Sequence, residues 1–409
     1  MKLEKLKGKR ILIVGYGLEG KSVESYLKKN VAGVTVEKAD KKDGPHYLEK
    51  QNEYDLVIKS PGVKKSLITI PYTTATNIFF ANCKNMIIGI TGTKGKSTTA
   101  SLIHHILISS GNKSHLVGNI GTPAIKLLNS PLKNDEIIVM ELSSYQTEDI
   151  CYSPHFIVFT SLFPEHMNYH GSVDLYYEAK RNILTYLRSN DVVFFNSKYD
   201  QINKWLESVD CKKTDVSNLS LGDIKSCLIG KHNYENILLA YAVAKEIHIS
   251  DFKILSALLS YKPLSHRLEK VGEYKGILFY DDAISTIPQS TIAAIDSLET
   301  VDTLFLGGQD RGYDFSQLVE RIVKSNISNI VLFPDSGEKI FKLLKKQQGN
   351  LLNILKTDSM KDAVAFAFEH TKKGYTCLLS TASPSYSLWK NYIEKGNLFK
   401  KCILNYEKN

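Results

Sequence analysis

Short apolar runs alternate with stretches of helical periodicity along nearly the whole chain. Residues 10–14, 86–90 and 137–140 are dominated by Ile, Val, Leu and Met, which is typical of parallel strands buried on both faces. A glycine-rich or polar segment follows each run, and the first two runs lead into helical patterns. The pattern predicts an α/β protein built from open, mainly parallel sheets.

The strand and helix units fall into three groups, and a chain of 409 residues is too long for one hydrophobic core. We therefore predict three α/β domains. Residues 1–82 are expected to form a Rossmann-like domain, residues 83–264 a central parallel-sheet domain of the P-loop ATPase type, and residues 265–409 a second Rossmann-like domain. Pro263 marks the last boundary.

The most specific motif is the loop that joins the run at 86–90 to the next helix. It reads Gly89-Ile-Thr-Gly-Thr-Lys-Gly-Lys-Ser97, a variant of the generic P-loop in which Ile90 replaces the first glycine. In such loops backbone N–H groups and a helix N-terminus hold the phosphates of a nucleoside triphosphate, Lys96 meets the β and γ oxygens, and Ser97 ligates Mg²⁺. The residues expected to bind ATP here are Gly92, Thr93, Lys94, Gly95, Lys96, Ser97 and Thr98.

Glu141 follows an apolar run at the point where the strand should end. A carboxylate at a strand tip beside a P-loop suits a Mg²⁺ ligand, and the alternative is that it only caps the next helix through Ser143. His166 and His170 are four residues apart in a predicted loop, so the helical spacing of zinc ligands does not apply. From the residues alone, a structural role for His166 stays open.

Glycine turns also end the strands of the first predicted domain. Gly15-Tyr-Gly-Leu-Glu-Gly20 stands between a strand and a helix, as in dinucleotide-binding folds, and Ser60-Pro-Gly62 ends a later strand. Asp40 follows the strand between them, where an acidic residue can meet a ribose or a base. These features predict a nucleotide-like ligand, and the alternative is an ordinary α/β layer whose glycines serve only tight turns.

Polar residues at helix starts and strand ends complete the candidate sites. Asn233 and Asn236 share one face of a predicted first helical turn, which suits recognition of a purine edge or, equally, capping of the helix. In the third predicted domain, strands near 276–280, 303–306 and 376–380 end in polar or glycine turns. Ligands of open α/β sheets bind at such strand ends.

Composition narrows the class of protein. The net charge of +9 comes from lysines spread along the chain, which indicates a solvated basic surface rather than a nucleic-acid interface. The six cysteines form no C-x-x-C pair, so neither a disulfide framework nor a structural zinc site is expected. Because no signal peptide and no apolar run long enough for a membrane span is evident, we expect a cytoplasmic protein. We also expect a monomer.

In this order, the motifs resemble those of the Mur ligases, and among them the branch that joins D-glutamate to UDP-N-acetylmuramoyl-L-alanine. The resemblance runs nearly end to end. Besides the motifs quoted above, it is carried by Gly-Asn-Ile-Gly at 118–121, Glu-Leu-Ser-Ser-Tyr-Gln at 141–146, His166 followed by Lys180, Lys-His-Asn-Tyr-Glu-Asn at 231–236, His-Arg-Leu-Glu at 266–269, Gly-Gly-Gln-Asp at 307–310 and Ser-Pro-Ser-Tyr at 383–386.

The resemblance implies an ATP-dependent, ADP-forming ligase of peptidoglycan precursor synthesis. ATP would phosphorylate the substrate carboxylate, and the amino group of D-glutamate would then attack the acyl phosphate. The implied catalytic residues are Lys96, Glu141, His166 and Lys180. Two Mg²⁺ ions are also implied, the first held by Ser97 and Glu141 and the second by His166 together with the carbamate of Lys180.

The same resemblance assigns binding residues in each predicted domain. The residues implied for the UDP substrate are Leu18, Glu19, Asp40, Gly62, Asn119 and Ser143. Those that would close over ATP are Asn233, Asn236, Arg267 and Asp282. Those that match positions for the incoming amino acid are Thr286, Ser385 and Tyr386.

Departures from the family pattern concern the amino acid. Ala283 stands where the family often has a serine, and Ile284 where some members have a lysine. One cationic contact is therefore missing or is supplied elsewhere, and Arg311 is a candidate for it. Three alternatives stay open: another Mur or folylpolyglutamate-type ligase, a catalytically inactive nucleotide-binding protein of the same fold, and an NAD-binding oxidoreductase, which would leave the P-loop unexplained.

Overall fold

The computed structural model describes residues 1–222, 228, 230–347 and 352–408. Across these residues the strands form three sheets, two in a first unit made of residues 1–222 and 232–261 and one in a second unit made of residues 228, 230–231, 262–347 and 352–408. The predicted α/β fold with mainly parallel sheets is confirmed. No helix in this part of the chain combines the length and the apolar character that a membrane span requires.

The first sheet lies at the start of the first unit. Its strands are β1 (Arg10–Val14), β2 (Thr35–Ala39), β3 (Leu56–Lys59) and β4 (Tyr72–Thr73), and its helices are α1 (Leu18–Asn30) and α2 (Ala75–Asn82). The strands are parallel, in the order β2-β1-β3-β4. Ile11 and Ile13 pack with Leu27 of α1, whereas Leu12 and Val14 belong to a separate cluster on the other face.

The second sheet follows in the same unit. Its strands are β5 (Ile87–Thr91), β6 (Ser114–Gly118), β7 (Ile137–Glu141), β8 (Phe156–Phe159), β9 (Val192–Phe195) and β10 (Lys212–Asp215). The accompanying helices are α3 (Lys96–Ser109), α4 (Ser144–Thr147), α5 (Met167–His170), α6 (Val173–Arg181), α7 (Asp200–Leu206), α8 (Lys231–Glu246) and α9 (Asp251–Ser260). The order is β10-β9-β8-β5-β7-β6, and every pair is parallel, so the fully buried β5 lies between β7 and β8.

The third sheet forms the second unit. Its strands are β11 (Glu269–Tyr274), β12 (Ile277–Asp281), β13 (Val301–Gly307), β14 (Asn329–Phe333), β15 (Asn353–Lys356) and β16 (Thr376–Leu379). Its helices are α10 (Pro288–Ser297), α11 (Ser316–Val323), α12 (Ser336–Gln347), α13 (Met360–His370) and α14 (Tyr392–Glu407). The order is β11-β12-β16-β13-β14-β15, and the edge strand β11 is antiparallel to β12, which the sequence pattern does not predict.

Side chains along the inner strands of the third sheet alternate between two hydrophobic cores. Leu304 and Leu306 of β13 belong to a core shared with α10, α11 and α12. Phe305, between them, belongs to a core shared with α13 and α14. Because both faces are covered, the inner strands consist almost wholly of apolar residues, which is why the sequence pattern identifies them.

Edge strands depart most from the predicted pattern. β10 has the sequence Lys-Lys-Thr-Asp and β15 the sequence Asn-Ile-Leu-Lys, and neither contains a fully buried side chain. Each pairs on one side with an apolar strand, β9 and β14 respectively. Their extended conformation therefore depends on the neighbouring strand rather than on local sequence preference.

A buried ion pair joins the first sheet to the segment after α4. Lys59, at the end of β3, is fully buried, and its Nζ lies 2.7 Å from Oδ2 of Asp149, whose side chain is 3% exposed. The Lys59 ammonium also donates to the Val63 carbonyl at 2.8 Å. The Tyr72 hydroxyl donates to Asp149 Oδ1 at 2.9 Å. Removing one of the two charges would leave the other buried without a counter-ion, which costs more than removing both.

We expect Lys59→Met to lower the free energy of unfolding by about 3–5 kcal/mol, because the Asp149 carboxylate is left unpaired in the interior. Adding Asp149→Leu to this variant is expected to recover most of the loss. The control is Lys212→Met, which removes an exposed ion pair with Glu246 and should cost less than about 1 kcal/mol. Urea unfolding followed by circular dichroism measures all three variants, and equal losses for the single and double variants would contradict the explanation.

Candidate active site

The P-loop (residues 92–95) connects the end of β5 to the N-terminus of α3. Gly92 and Gly95 have φ angles of 140° and 88°, in the region that favours glycine. A Cβ atom at Gly92 would lie 2.1 Å from Thr160 Oγ1, and one at Gly95 would lie 2.4 Å from Asn236 Oδ1. The loop is packed so closely against its neighbours that both positions require glycine.

Residues that follow β8 hold the P-loop in place. The Thr93 N–H donates to the Ser161 carbonyl at 2.6 Å, and the Lys94 N–H donates to Ser161 Oγ at 2.8 Å. The Thr160 hydroxyl donates to the Lys94 carbonyl at 2.6 Å. The sequence analysis missed Thr160 and Ser161, although their position directly after a buried strand is a signal that could have identified them.

The first turn of α3 contains Lys96, Ser97 and Thr98. The Lys96 ammonium donates to the Thr93 carbonyl at 2.8 Å, so its side chain folds back over the P-loop. Ser97 and Thr98 are buried. The N-terminus of α3 adds a partial positive charge at the same place, which favours a bound anion such as a phosphate.

Glu141 ends β7, the strand next to β5. Its side chain is buried, and Oε1 accepts a hydrogen bond from the Asn119 amide at 3.2 Å, while Oε2 has no hydrogen-bond partner among the described residues. A buried carboxylate oxygen without a donor is costly, so this position fits a cation such as Mg²⁺. Ser143 caps α4 through a reciprocal interaction with Gln146, so helix capping is not the role of Glu141.

Lys180 lies on α6 and is 1% exposed. Its Nζ donates to the Gly92 carbonyl at 2.6 Å and lies 4.9 Å from the centre of the Tyr176 ring. Burial lowers the pKa of Lys180 well below its ordinary range, and the charge of Lys96 acts in the same direction, while the Glu141 carboxylate opposes them. The surroundings therefore favour the neutral amine.

His166 precedes α5 with a φ angle of 60°, and its Nε2 lies 3.5 Å from Glu165 Oε2. Burial lowers the pKa of His166, so its ring is predominantly neutral at physiological pH and can serve as a metal ligand. His170 is bonded through Nε2 to Ser144 Oγ at 3.0 Å, and burial lowers its pKa to about 4. The prediction that both histidines lie in a loop is wrong for His170, which ends α5.

The structure brings together the four residues predicted to be catalytic, which are Lys96, Glu141, His166 and Lys180. The charges of Lys96 and Lys180 both contribute to lowering the pKa of His166, and Glu141 acts on the pKa of Lys180. Glu165, which the sequence analysis did not single out, pairs with Lys94. Its position next to His166 in the chain is the signal that could have identified it.

Asn233 and Asn236 are buried near the start of α8. The Thr99 hydroxyl of α3 donates to Asn236 Oδ1 at 3.1 Å, and the Asn236 amide donates to Asn233 Oδ1 at 3.1 Å. The two amides therefore connect α8 to the helix that follows the P-loop. Recognition of a purine by either amide stays a prediction.

Residues predicted to bind the UDP substrate lie at the carboxyl ends of the strands of the first sheet. They are Leu18 and Glu19 at the start of α1, Asp40 after β2, and Gly62 after β3. Burial raises the pKa of Glu19 to about 7, against the opposing charge of Lys59. Asp40 accepts hydrogen bonds from the N–H groups of Tyr16 and Lys42 at 2.6 and 3.1 Å, and these bonds lower its pKa. Asn119 and Ser143 instead follow β6 and β7, two strands of the second sheet.

In the second unit, Asp282 is buried directly after β12. The Leu268 N–H and the Ser380 hydroxyl donate to its carboxylate at 3.0 and 2.8 Å. Burial raises the pKa of Asp282 to about 6, and the charge of the neighbouring Arg267 opposes this shift. Arg267 and Asp282, which the resemblance groups together, are therefore close in space.

Residues predicted to hold the amino acid follow other strands of the third sheet. Ser385 is buried, and its hydroxyl has no hydrogen-bond partner among the described residues. Tyr386 is 60% exposed, and the Arg311 guanidinium carbon lies 5.8 Å from the centre of its ring. Thr286 is half-buried in the segment that follows β12. Arg311 thus brings a cation beside Tyr386.

A buried polar cluster in the second unit was not predicted. His266 Nδ1 lies 2.7 Å from Asp281 Oδ2, and the fully buried Lys395 of α14 donates to the Thr381 hydroxyl at 2.5 Å. Burial lowers the pKa of Lys395 to about 7, while Asp281 opposes the shift. A Cβ atom at Gly396 would lie 2.1 Å from His266 Nδ1, so α14 approaches this cluster as closely as a helix can.

His266, Glu269 and Asp281 are near enough to one another to hold a metal ion. Lys400 lies among them, with its Nζ 2.6 Å from Glu269 Oε2 and 3.6 Å from Asp281 Oδ2. The ammonium group supplies the positive charge that the carboxylates require, and no metal is assigned to this cluster.

Comparisons with known proteins identify relatives of this chain. Residues 90–224 match the family model of the Mur ligase middle domain. A UDP-N-acetylmuramoylalanine–D-glutamate ligase of Streptococcus agalactiae is 31% identical, and the alignment covers 96% of this chain and 96% of the relative. A ligase of the same name from Acetivibrio thermocellus is 28% identical, with 99% of this chain and 98% of the relative covered.

Solved structures with a similar fold include two ligases of Thermotoga maritima. The UDP-N-acetylmuramate-alanine ligase MurC superposes with a TM-score of 0.64 at 17% identity and covers 97% of this chain and 100% of its own. The ligase MurF in complex with ADP has a TM-score of 0.64 at 14% identity and covers 99% and 97%. Together with the full-length sequence matches, these findings place the chain in the Mur ligase family, in the branch of the UDP-N-acetylmuramoylalanine–D-glutamate ligases.

Proposed function

We propose that this chain is an ATP-dependent, ADP-forming ligase that joins D-glutamate to UDP-N-acetylmuramoyl-L-alanine in peptidoglycan precursor synthesis. The observation that carries the proposal is the convergence of a P-loop lysine, a buried carboxylate, a neutral histidine and a buried amine at one edge of the second sheet. The relatives that match nearly end to end carry the name of this reaction.

The reaction has two steps. A carboxylate oxygen of the UDP substrate attacks the γ-phosphorus of ATP, which gives an acyl phosphate and ADP. The amino group of D-glutamate then attacks the acyl carbon, a tetrahedral intermediate forms, and phosphate leaves as the amide forms. Lys96 and the N-terminus of α3 would stabilise the charge on the transferring phosphoryl group, which is the main task of protein residues in such transfers.

The donor set fits divalent cations. Ser97, with the unpartnered Oε2 of Glu141, would hold one Mg²⁺ ion, and His166 with a carbamate on Lys180 would hold a second. When bound, Mg²⁺ neutralises the negative charge on the phosphoryl oxygens. The Asn119 amide orients the Glu141 carboxylate by a hydrogen bond to its other oxygen.

Lys180 is suited to carbamylation. The lone pair of a neutral amine attacks the carbon of CO₂, and loss of one proton leaves a carbamate with two oxygen atoms and one negative charge. Only the neutral amine reacts, and burial lowers the pKa of Lys180 well below its ordinary range, which favours that form. The modification would replace a cation that repels Mg²⁺ by an oxygen ligand.

Each predicted domain is proposed to bind one of the three substrates. Residues 1–82 would hold the uridine diphosphate at the glycine turns after β1 and β3, residues 83–264 would hold ATP with the contribution of Asn233 and Asn236, and residues 265–409 would bring the amino acid. Arg267 and Asp282 would complete the ATP site. Thr286, Ser385 and Tyr386 would contact D-glutamate.

The primary test is phosphate release from ATP in the presence of Mg²⁺ and UDP-N-acetylmuramoyl-L-alanine. Release with D-glutamate, but not with L-glutamate or without an amino acid, is the expected result. Release with a different amino acid would keep the acyl-phosphate chemistry and reject the proposed amino-acid specificity. Absence of release with every amino acid would reject the ligase function in favour of an inactive nucleotide-binding protein.

We expect Lys180→Ala to lower kcat at least about 100-fold, because a proposed ligand of the Mg²⁺ ion that neutralises the phosphoryl oxygens is lost. Added acetate should restore part of the activity by supplying a carboxylate in the vacated space. The control is Arg181→Ala, at the exposed next position of α6, which should keep wild-type activity. Carbon-13 NMR with labelled bicarbonate should show a carbamate signal in the wild type and none in Lys180→Ala; an unlabelled wild type would reject the carbamate.

We expect Arg311→Ala to raise KM for D-glutamate by about 10- to 100-fold, because a charge-assisted hydrogen bond to a carboxylate is lost. KM for ATP should stay within about twofold of the wild type. Arg321→Ala is the matched control, since it removes an arginine of the same unit from an exposed ion pair with Asp296. Steady-state kinetics decide the question, and an unchanged KM for D-glutamate in Arg311→Ala would exclude Arg311 as the compensating cation for Ile284.

A further inference from the structure

Tyr169 contacts two parts of the first unit that have separate roles in the proposed reaction. Its hydroxyl lies 3.2 Å from the Val63 carbonyl, 3.3 Å from the Pro61 carbonyl and 3.1 Å from Glu148 Oε2. One O–H proton is shared among three acceptors, two of which belong to the turn after β3. Burial and the nearby Glu148 carboxylate raise the pKa of Tyr169, so the hydroxyl remains a donor.

The turn in question, Ser60–Val63, is held from its other side as well. The Ser60 hydroxyl donates to the Gly15 carbonyl at 2.6 Å, which joins this turn to the glycine turn after β1. A Cβ atom at Gly15 would lie 2.7 Å from Ser60 Cβ, so the two turns are in direct contact. The buried Lys59 donates to the Val63 carbonyl. Tyr169, which lies on α5, connects that helix to this turn.

The ring of Tyr169 faces the candidate catalytic residues. It meets the Tyr145 ring edge to face, with centroids 4.5 Å apart and planes at 82°. The Tyr145 ring lies 5.1 Å from the His166 ring. Tyr169 also packs against His170 at 4.8 Å, and His170 is fixed by Ser144. Tyr169 therefore contacts the Ser60–Val63 turn through its hydroxyl, and its ring is connected to His166 through the ring of Tyr145.

We propose that Tyr169 is a positioning residue that holds the Ser60–Val63 turn, and with it the diphosphate of the UDP substrate, at a set distance from His166. This inference rests on the proposed function, since it concerns how the same substrate is placed. The substrate is anchored at its nucleotide end and reacts at its far carboxylate. A displacement of about 1 Å at the anchor would be carried to the reacting atoms, where such errors reduce rates by up to about 100-fold.

The P-loop, where ATP is proposed to bind, is held by residues other than Tyr169. The P-loop is braced by Thr160 and Ser161, which follow β8 and lie on the chain before α5. Loss of the Tyr169 hydroxyl leaves these bonds in place. A positioning role therefore predicts an effect on the UDP substrate alone, whereas a purely structural role predicts lower stability or equal effects on every substrate.

The test is Tyr169→Phe, which removes the hydroxyl and keeps the ring. We expect KM for UDP-N-acetylmuramoyl-L-alanine to rise by about 3- to 10-fold, the effect of one lost hydrogen bond, with KM for ATP and the thermal unfolding midpoint unchanged. The matched control is Tyr177→Phe, whose half-buried ring packs on Trp205 at 6.1 Å, and it should behave as the wild type. Tyr169→Leu, which also removes the ring, should lower kcat in addition.

A second variant tests the Tyr169 hydroxyl itself. Glu148→Gln weakens the acceptor that competes with the turn carbonyls for the Tyr169 proton, so its effect on KM for the UDP substrate should depend on the Tyr169 hydroxyl. Glu148 also lies 3.7 Å from Lys65, so Glu148→Gln alone changes more than one contact. The double variant with Tyr169→Phe isolates the part of its effect that depends on the Tyr169 hydroxyl. Glu148→Gln should therefore change KM for the UDP substrate less in the Tyr169→Phe background than in the wild type. Fully additive effects would overturn the proposal.

Two failures can be told apart. A wild-type protein without D-glutamate-dependent phosphate release contradicts the proposed function itself. An active wild type together with a Tyr169→Phe variant that has unchanged KM for the UDP substrate, or an equal rise in KM for ATP, contradicts only the positioning role of Tyr169.

Discussion

The candidate active site depends on one close approach, that of the Lys180 amine to the Gly92 carbonyl at 2.6 Å. The contact joins α6 to the start of the P-loop, and it occurs where Thr160 leaves no room for a side chain on residue 92. The same packing removes Lys180 from water and thereby lowers its pKa. The shape of the phosphate-binding loop and the reactivity of the amine thus have a common origin in the contact of α6 with the P-loop, to which the Tyr176 hydroxyl also contributes at 2.9 Å from Thr93 Oγ1.

Features that depend on local sequence were predictable. The strands β5, β7 and β13 are buried on both faces and consist of nearly continuous apolar residues, so their positions follow from the pattern alone. The P-loop is marked by the order of strand, glycines and helix, and Glu141 by its position where a strand ends. Ser97 and Lys96 follow from the same motif. Each of these features can be recognised from about fifteen consecutive residues.

Features that depend on tertiary contacts were not predictable. The strand β10 has a polar sequence and is extended because it pairs with β9. Ser161 braces a loop that lies 67 residues earlier in the chain, and Tyr169 reaches a carbonyl 106 residues earlier. Lys395 is buried whereas Lys401 of the same helix is exposed, and its partner Thr381 lies outside α14. Such roles become visible only when the partner across the structure is known.

The ammonium group of Lys400 among Glu269 and Asp281 has a consequence for the protein under metal depletion. A cation that is covalently part of the chain cannot be extracted by a chelator, so charge balance in this cluster of the second unit is independent of divalent ions. The Oε2 atom of Glu141 in the first unit has no hydrogen-bond partner within the described residues. Chelation should therefore act on turnover and leave the framework of the second unit folded, which makes the loss reversible when the ion returns.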